Sequence, residues 1–310
     1  MKENKIISII IPTRNEEIHI ERSVKSALQL TDKVFIIDSA STDKTCEIAE
    51  SLGARVFQYE WTNSSTFSKK MNWAIENLPI ETPWIMRLDA DEYLYGEWGE
   101  KFLKELRDLP EDVNCCSIPR NTWFLKKRLK YGDNIATSMR ILRRGKALYE
   151  NVILDEHVII NGGRLLNLSY MIVDDPQITI AQWITKHNEY SLREAINTIN
   201  KEIELYNVDD NEIADDRHSK ILSKQKTIYN KMPKYWRGFF YFCYRYFILG
   251  GFLCGSAGFL YDFLQGWWYR NLVDCKISEI YEKCGKDPQK IRDYILETYN
   301  LNLNQYYENK

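Results

Sequence analysis

Two carboxylates two residues apart, Asp89 and Asp91, close the apolar run Trp84-Ile85-Met86-Arg87-Leu88. On an extended chain, residues i and i+2 share a face. The pair therefore presents two like charges together, and Glu92 turns to the opposite face. Such a pair repels unless a cation joins it. A hard divalent ion, Mg2+ or Mn2+, accepts one or two carboxylates and keeps its other positions for phosphate oxygens. The chemistry open to this stretch is the holding of a phosphate ester through a metal. An isolated Asp-x-Asp is more often a solvated turn, so the elements around it decide.

Those elements alternate. Lys5 to Ile11 is a nearly continuous β-branched run, which suits a central parallel strand buried on both faces. It ends at Pro12-Thr13-Arg14-Asn15-Glu16, and apolar Ile20, Val24, Ala27 and Leu28 mark a helix over Glu17 to Leu30. Val34 to Ile37 is a second buried strand stopping at Asp38. Asp43 is placed to cap a helix over Lys44 to Leu52. Arg55 to Tyr59 gives a third strand, Phe67 to Asn77 a helix, and Trp84 to Leu88 the fourth strand. This alternation predicts an α/β layer with a mostly parallel, Rossmann-like central sheet flanked by helices. Ligands of such sheets bind outside the carboxyl ends of the strands. Arg14, Asp38 and Asp89 all fall at those ends, where they can converge.

The turn after the first strand is neither GxGxxG nor GxxxxGK[ST], which excludes the dinucleotide fingerprint and the P-loop. The 310 residues, 44% hydrophobic and 28% charged, suffice for a sizeable core. A net charge of -2 gives no electrostatic case for nucleic acid. Seven cysteines, an odd number without a CxxC pair, argue against a disulfide framework or a zinc site and for a reducing compartment. The polar N-terminus lacks the form of a signal peptide.

The stretches IIIPTRNEE, IIDSASTDKT and RLDADEYL, in this order and spacing, resemble the GT-A inverting glycosyltransferases of family 2. The resemblance implies a nucleotide-sugar donor, a UDP-hexose first, and a divalent metal as cofactor. It implies that Pro12, Arg14 and Glu16 lie along the base and ribose, and that Asp38 accepts from the uracil edge. Asp89 would contact the ribose or support the metal, and Asp91 would hold the metal on the diphosphate through this DxD motif. Lys69 or Lys70 would meet the diphosphate; Lys69 is carried as the candidate, and the sequence does not choose between them. Inverting transfer needs a base for the acceptor hydroxyl. In Leu154-Asp155-Glu156-His157 the resemblance assigns that base to Glu156 first and Asp155 second. A sugar nucleotidyltransferase would also use a carboxylate-bound metal on an α/β sheet. It would want a basic, Gly-rich loop where this chain has Glu16-Glu17. A catalytically inactive glycan-binding protein would be expected to lose these acids.

Further along, Trp98 to Leu109 reads as a helix, Cys115 to Pro119 as a strand, and the basic, aromatic Arg120 to Lys130 either as an acceptor-side loop drawn to anionic phospholipid or a lipid diphosphate, or as a solvated amphipathic surface. A helix over Ile178 to Asn200 puts Trp183, His187, Tyr190 and Glu194 near one face. It resembles the K-x-N-x-Y helix of the lipopolysaccharide core β-glucosyltransferase subgroup, and Lys186 and His187 would approach phosphate. The resulting organisation is a catalytic domain over 1–200, a polar linker over 201–231 and an aromatic tail over 232–310. The uncharged run Tyr246 to Tyr261 is shorter than the roughly 18 to 20 residues of a span. With Arg and Lys at its edges, the tail suits a membrane interface, with a buried helical hairpin as the alternative. The resemblance then implies a lipid-linked or lipopolysaccharide glycan acceptor at the cytoplasmic face of a bacterial inner membrane.

Overall fold

The structure, a computed structural model, describes residues 6–62, 65–132, 134–150, 158–205, 229 and 232–303. Strand β1 (Ile7–Thr13) is buried along its whole length. Its alternate side chains feed two cores: Ile9 and Ile11 join Val24, Met86 and Phe102 on one face, and Ile10 joins Phe35, Met71 and Ile85 on the other. The expected alternation follows, with α1 (Ile20–Ala27), β2 (Val34–Asp38), α2 (Thr45–Ser51), β3 (Arg55–Gln58), α3 (Phe67–Asn77) and β4 (Trp84–Arg87).

β1 runs parallel to both β2 and β4, and β2 runs parallel to β3. The carboxyl ends of β2, β1 and β4 therefore share one edge. Beyond β4 the sheet becomes mixed. After β5 (Glu92–Tyr95), α4 (Glu100–Arg107), β6 (Val113–Phe124), β7 (Lys127–Arg128), β8 (Ile135–Arg143), β9 (Ala147–Tyr149), β10 (Val158–Ile160), β11 (Arg164–Asn167) and β12 (Met171–Asp174), the order is β3-β2-β1-β4-β8-β6-β12-β5. β8 is antiparallel to β4 and β6, whereas β12 is parallel to β6.

Two expectations change here. The basic Arg120 to Lys130 stretch is a β-hairpin and not a loop. Its first half continues β6, and it turns at Leu125 and Lys126, both at left-handed φ (50° and 61°), into β7. Paired left-handed residues suit a tight hairpin, because that turn matches the strand twist. The second change is at the opening stretch. β4 stops at Arg87, and Glu92 N donates to Asp89 O at 2.9 Å, closing a turn. Strand alternation therefore does not carry through Asp89, Asp91 and Glu92.

Helix α5 (Ile180–Ile203) starts at a capping box between Thr179 and Gln182. Ala195, Ile196 and Ile199 pack against the tail helices α8 (Tyr269–Cys284) and α9 (Pro288–Tyr299). Before them come α6 (Trp236–Cys243) and α7 (Gly255–Tyr261), each running on into a π-helical segment, Tyr244–Ile248 and Asp262–Trp268. Ala257 and Leu264 of the tail join Phe124, Leu129 and Trp183 in a smaller core. The tail thus packs on the catalytic layer with one face. The other face leaves large side chains in solvent, among them Trp236 at 60% and Ile248 at 74% exposure. Among the described residues no single helix is long and apolar enough to cross a membrane.

Candidate active site

Asp38 ends β2, directly opposite Thr13 at the end of β1. Its carboxylate is fully buried and accepts from Thr13 Oγ1 (2.8 Å), Ser41 N (2.8 Å) and Ser41 Oγ. Burial pushes the carboxyl up, but the Ser41 and Thr13 hydrogen bonds together outweigh it and hold the group below its ordinary value. The loops after β1 and β2 are stitched together around it. Asn15 N donates to Ser41 Oγ, Thr42 N to Asn15 Oδ1, Glu16 N to Thr45 Oγ1 and Glu17 N to Asp43 Oδ2. Asp43 also accepts from Thr45 N at the start of α2. Asn15 and Ala40 both sit at left-handed φ (56° and 55°). Asn tolerates that region, but in Ala it costs of order 1–2 kcal/mol. Strain of this kind collects where a backbone must meet a ligand.

Pro12 is buried within β1, Arg14 is exposed just beyond it, and Glu16 is half-buried with its carboxylate 2.6 Å from His19 Nδ1. The cation brought to this edge is that of Lys70, not Lys69. Lys70 is 4% exposed and its Nζ donates to Thr13 O at 3.0 Å, among the charges of Asp38, Arg14, Glu16 and Asp89. Lys70, Met71 and Ala74 lie on the buried stripe of α3, whereas Lys69 is half-buried and donates its backbone N–H to the Thr66 cap. That i, i+1, i+4 stripe was the available sequence signal.

Burial lowers Lys70 to about 8. Its ammonium is therefore charged below that pH and neutral above it. Affinity for a diphosphate held at this edge should fall as pH rises through about 8, and in Lys70→Met it should be weaker and lack that step. Isothermal titration on either side of this pH checks both points. A step that persists in the variant would assign it elsewhere.

Asp89 and Asp91 have different environments. Arg87 clamps Asp89 through Nε (2.7 Å) and Nη2 (3.0 Å), and both Arg140 terminal nitrogens reach Asp89 Oδ2 at 3.2 Å. Burial raises Asp89, but Arg140 and Arg87 outweigh it and hold the carboxyl well below the usual range. Glu92 does not face away. It accepts from Asp89 N and from Arg140 Nη2 and is 1% exposed, because the turn folds it back onto the same guanidinium. Burial pushes Glu92 up, against Arg140. Arg120 Nη1 adds a contact to Asp174 Oδ2 at 3.3 Å. Asp89 is thus the anchor of a buried charge network and has no oxygen left free of a guanidinium.

Nothing in the local sequence singles out Arg140, yet it holds two carboxylates. Arg140→Met should destabilise the fold by about 3–5 kcal/mol, because it leaves Asp89 and Glu92 buried without their shared partner. That corresponds to a thermal midpoint lower by on the order of 10 °C. Adding Glu92→Gln should recover part of the loss, and a thermal melt unchanged by Arg140→Met would contradict the network.

Asp91 lies in the turn with its backbone fixed: its carbonyl accepts from Asp175 N at 3.0 Å and Arg22 Nη2 at 3.3 Å. Its carboxylate faces Lys186 Nζ of α5 at 3.6 Å, beyond a direct hydrogen bond. Burial lowers Lys186, but Asp91 outweighs it and raises the group. His187 goes elsewhere. It stacks on Trp183 at 3.4 Å between ring centroids, with Tyr190 and Tyr269 edge-on, and burial lowers it to about 4. Glu194 accepts from Tyr269 and Arg270. Lys186, with Tyr190 beneath it, lies near Asp91 at the strand ends.

Among the described residues no three His, Cys, Asp or Glu side chains gather as a metal site. Mg2+ needs fewer, since it keeps several waters and takes one or two carboxylates plus substrate phosphates. Asp91 suits that use and Asp89 does not. Asp155, Glu156 and His157 lie outside the described residues. The segment holding them joins Tyr149 to Val158, which pair in the β9–β10 hairpin. Tyr149 exchanges backbone hydrogen bonds with the Asn72 side chain, and its ring lies 5.8 Å from the Arg87 guanidinium.

A model of the family described as glycosyl transferase family 2 matches residues 8–177. An uncharacterized glycosyltransferase of Rickettsia conorii is 29% identical over 215 residues, 65% of this chain and 73% of its own. One of Rickettsia bellii is 40% identical over 96 residues, and the match spans only 30% of either protein. The crystal structure of Staphylococcus aureus TarS 1–349 aligns over 95% of this chain and 91% of its own at 17% identity, with a TM-score of 0.40.

Proposed function

Because the chain belongs to glycosyl transferase family 2, we propose that it moves a hexose from a nucleotide sugar, a UDP-hexose first, to a glycan acceptor with inversion at C1. The observation that carries this reading is the meeting of Asp38 and Lys70 on Thr13 at the end of β1, with Asp91 in the turn that follows the neighbouring parallel strand β4, three groups suited to a base, a diphosphate and its counter-ion. In this reading Asp38, fixed by Thr13 and Ser41, accepts from the uracil edge, and Pro12, Arg14 and Glu16 border the base and ribose. Lys70 offsets the charge on the leaving diphosphate, and Lys186 turns from Asp91 toward the same oxygens. Asp89 contributes by holding the turn in place through Arg87 and Arg140.

Asp91 would hold the divalent cation, Mg2+ or Mn2+, which when bound neutralises charge developing on the leaving group. Displacement is a single in-line step: the acceptor oxygen forms a bond to C1 as the bond from C1 to the diphosphate oxygen breaks. Glu156, with Asp155 as the second candidate, takes the acceptor proton. The exposed aromatic face of the tail supports a lipid-linked or lipopolysaccharide-type acceptor met at the cytoplasmic face of a bacterial inner membrane, with the enzyme resting on the membrane surface.

A panel of UDP- and GDP-sugars with a glycolipid acceptor tests the reading, scored for the nucleotide released and the anomer formed. Nucleoside diphosphate release with an inverted product is expected. Pyrophosphate release from a sugar phosphate and a nucleoside triphosphate would favour a nucleotidyltransferase instead.

A further inference from the structure

Between Tyr235 and Tyr261 the chain carries two charged residues, Arg237 and Arg245. Both are turned inward, 6% and 5% exposed, onto Asp274 and Asp262 respectively. At Gly251, where the chain passes closest to this second pair, a Cβ would run into the Asp262 carboxylate. The outward face of this stretch is left without a charge. It presents Trp236, Phe240, Phe247, Ile248, Phe252 and Leu253, each 48 to 74% exposed. Monomeric proteins rarely leave so contiguous an apolar surface without a use. The helical segments Trp236–Ile248 and Gly251–Cys284 meet at 69°, and together, though neither alone, they have the length and apolar composition of a bent membrane element. Four of the six exposed side chains flank that elbow.

The elbow does not stand alone. Gly132 N donates to Leu249 O at 3.1 Å, which ties it to the end of the β6–β7 hairpin segment. That segment has no acidic residue from Asn121 to Gly132. Its arginines are spent internally: Arg120 faces Asp174, and Arg128 Nε donates to Asn121 Oδ1. Lys126, Lys127 and Lys130 are exposed, beside Leu125 at 45% and Tyr131 at 47%. Buried arginines, an uncharged aromatic apex and exposed lysines make a surface whose two parts have different solvents. The apex suits the acyl boundary, and the lysines suit the phosphate level above it.

We infer that the hairpin tip and the helical elbow form one docking surface for anionic phospholipid, the elbow inserting and Lys126, Lys127 and Lys130 reading the headgroup charge. The inference rests on the tail's being a membrane-interface element and adds that the basic hairpin and the elbow act as one surface, tied through Gly132 and Leu249. Seated this way, the hairpin that leads into β8 and Arg140 rests on the bilayer, and an acceptor anchored in the same membrane has its glycan delivered to the sheet edge.

Flotation of the full chain tests it, on phosphatidylcholine vesicles and on the same vesicles containing phosphatidylglycerol. The wild type should favour the anionic vesicles. Lys126→Gln/Lys127→Gln/Lys130→Gln should lower that partition by about 100-fold, at roughly a factor of five per lysine, and leave the weak binding to neutral vesicles in place. Phe247→Ser/Ile248→Ser should lower binding to both. Both variants alter exposed side chains, so thermal midpoints and nucleoside diphosphate affinity should match the wild type, which separates this surface from the donor site. Equal flotation of the wild type and the triple-lysine variant on anionic vesicles would overturn the hairpin's part while leaving the tail's. A wild type that floats with neither vesicle, or that buries the apex by dimerising, would overturn both.

Discussion

Asp91→Asn should lower nucleoside diphosphate release from the donor by about 10²–10³-fold, the scale set by removing one preorganised charge partner from a transition state. The fold should be unaffected. The structural work at this position is done by the backbone carbonyl, which accepts from Asp175 N and Arg22, while the side chain makes one ion pair among the described residues, with Lys186 at 3.6 Å. Asp89→Asn is the informative contrast. Its carboxylate is enclosed by Arg87 and Arg140, so that change should lower the thermal midpoint first and activity as a consequence. The loss in Asp91→Asn should be in turnover and in its dependence on Mg2+ or Mn2+, read by steady-state assay across metal concentrations. A wild-type rate with wild-type metal dependence would remove Asp91 from the site.

Glu156→Gln should lower transfer by about 10²–10⁴-fold, the range that a positioned general base contributes. Glutamine keeps the shape of the side chain and cannot take a proton. Binding of the donor should persist, since the groups assigned to base and diphosphate, Asp38 and Lys70, belong to other elements. Titration of a nucleoside diphosphate onto the variant, beside an assay of transfer, separates the two. Full transfer in Glu156→Gln with loss in Asp155→Asn would move the role one residue back. The assignment of this role comes from the resemblance carried by Leu154-Asp155-Glu156-His157, residues outside those the structure describes.

The parts of the molecule legible in the sequence are those governed by short-range rules. A run such as Ile7 to Ile11 can satisfy its backbone and bury both faces only as a central strand, and the helix after it followed from the apolar spacing of Ile20, Val24, Ala27 and Leu28. Asp38 could be placed because a strand end fixes its neighbour across β1. What escaped depended on contacts between distant segments. Glu92 was assigned to the far face on strand alternation, but the chain turns at Asp89 and brings Glu92 back to Arg140, a residue 48 positions away. The choice of Lys70 over Lys69 needed the phase of α3 against β1. The tail's two readings, interface or buried hairpin, could not be separated from composition. The sequence shows Arg237 and Arg245 but not that both point inward, leaving one face packed on Phe124 and Trp183 and the other bare of charge.

The most direct test of the donor site is a crystal structure of the protein grown with UDP and Mn2+. The diphosphate should lie at the carboxyl ends of β1 and β4, within reach of Lys70 Nζ and the Asp91 carboxylate, with the uracil beside Asp38 and Asp89 still clamped by Arg87 and Arg140. A nucleotide bound elsewhere, or bound at this edge with Asp91 turned away from both metal and phosphate, would contradict the assignment.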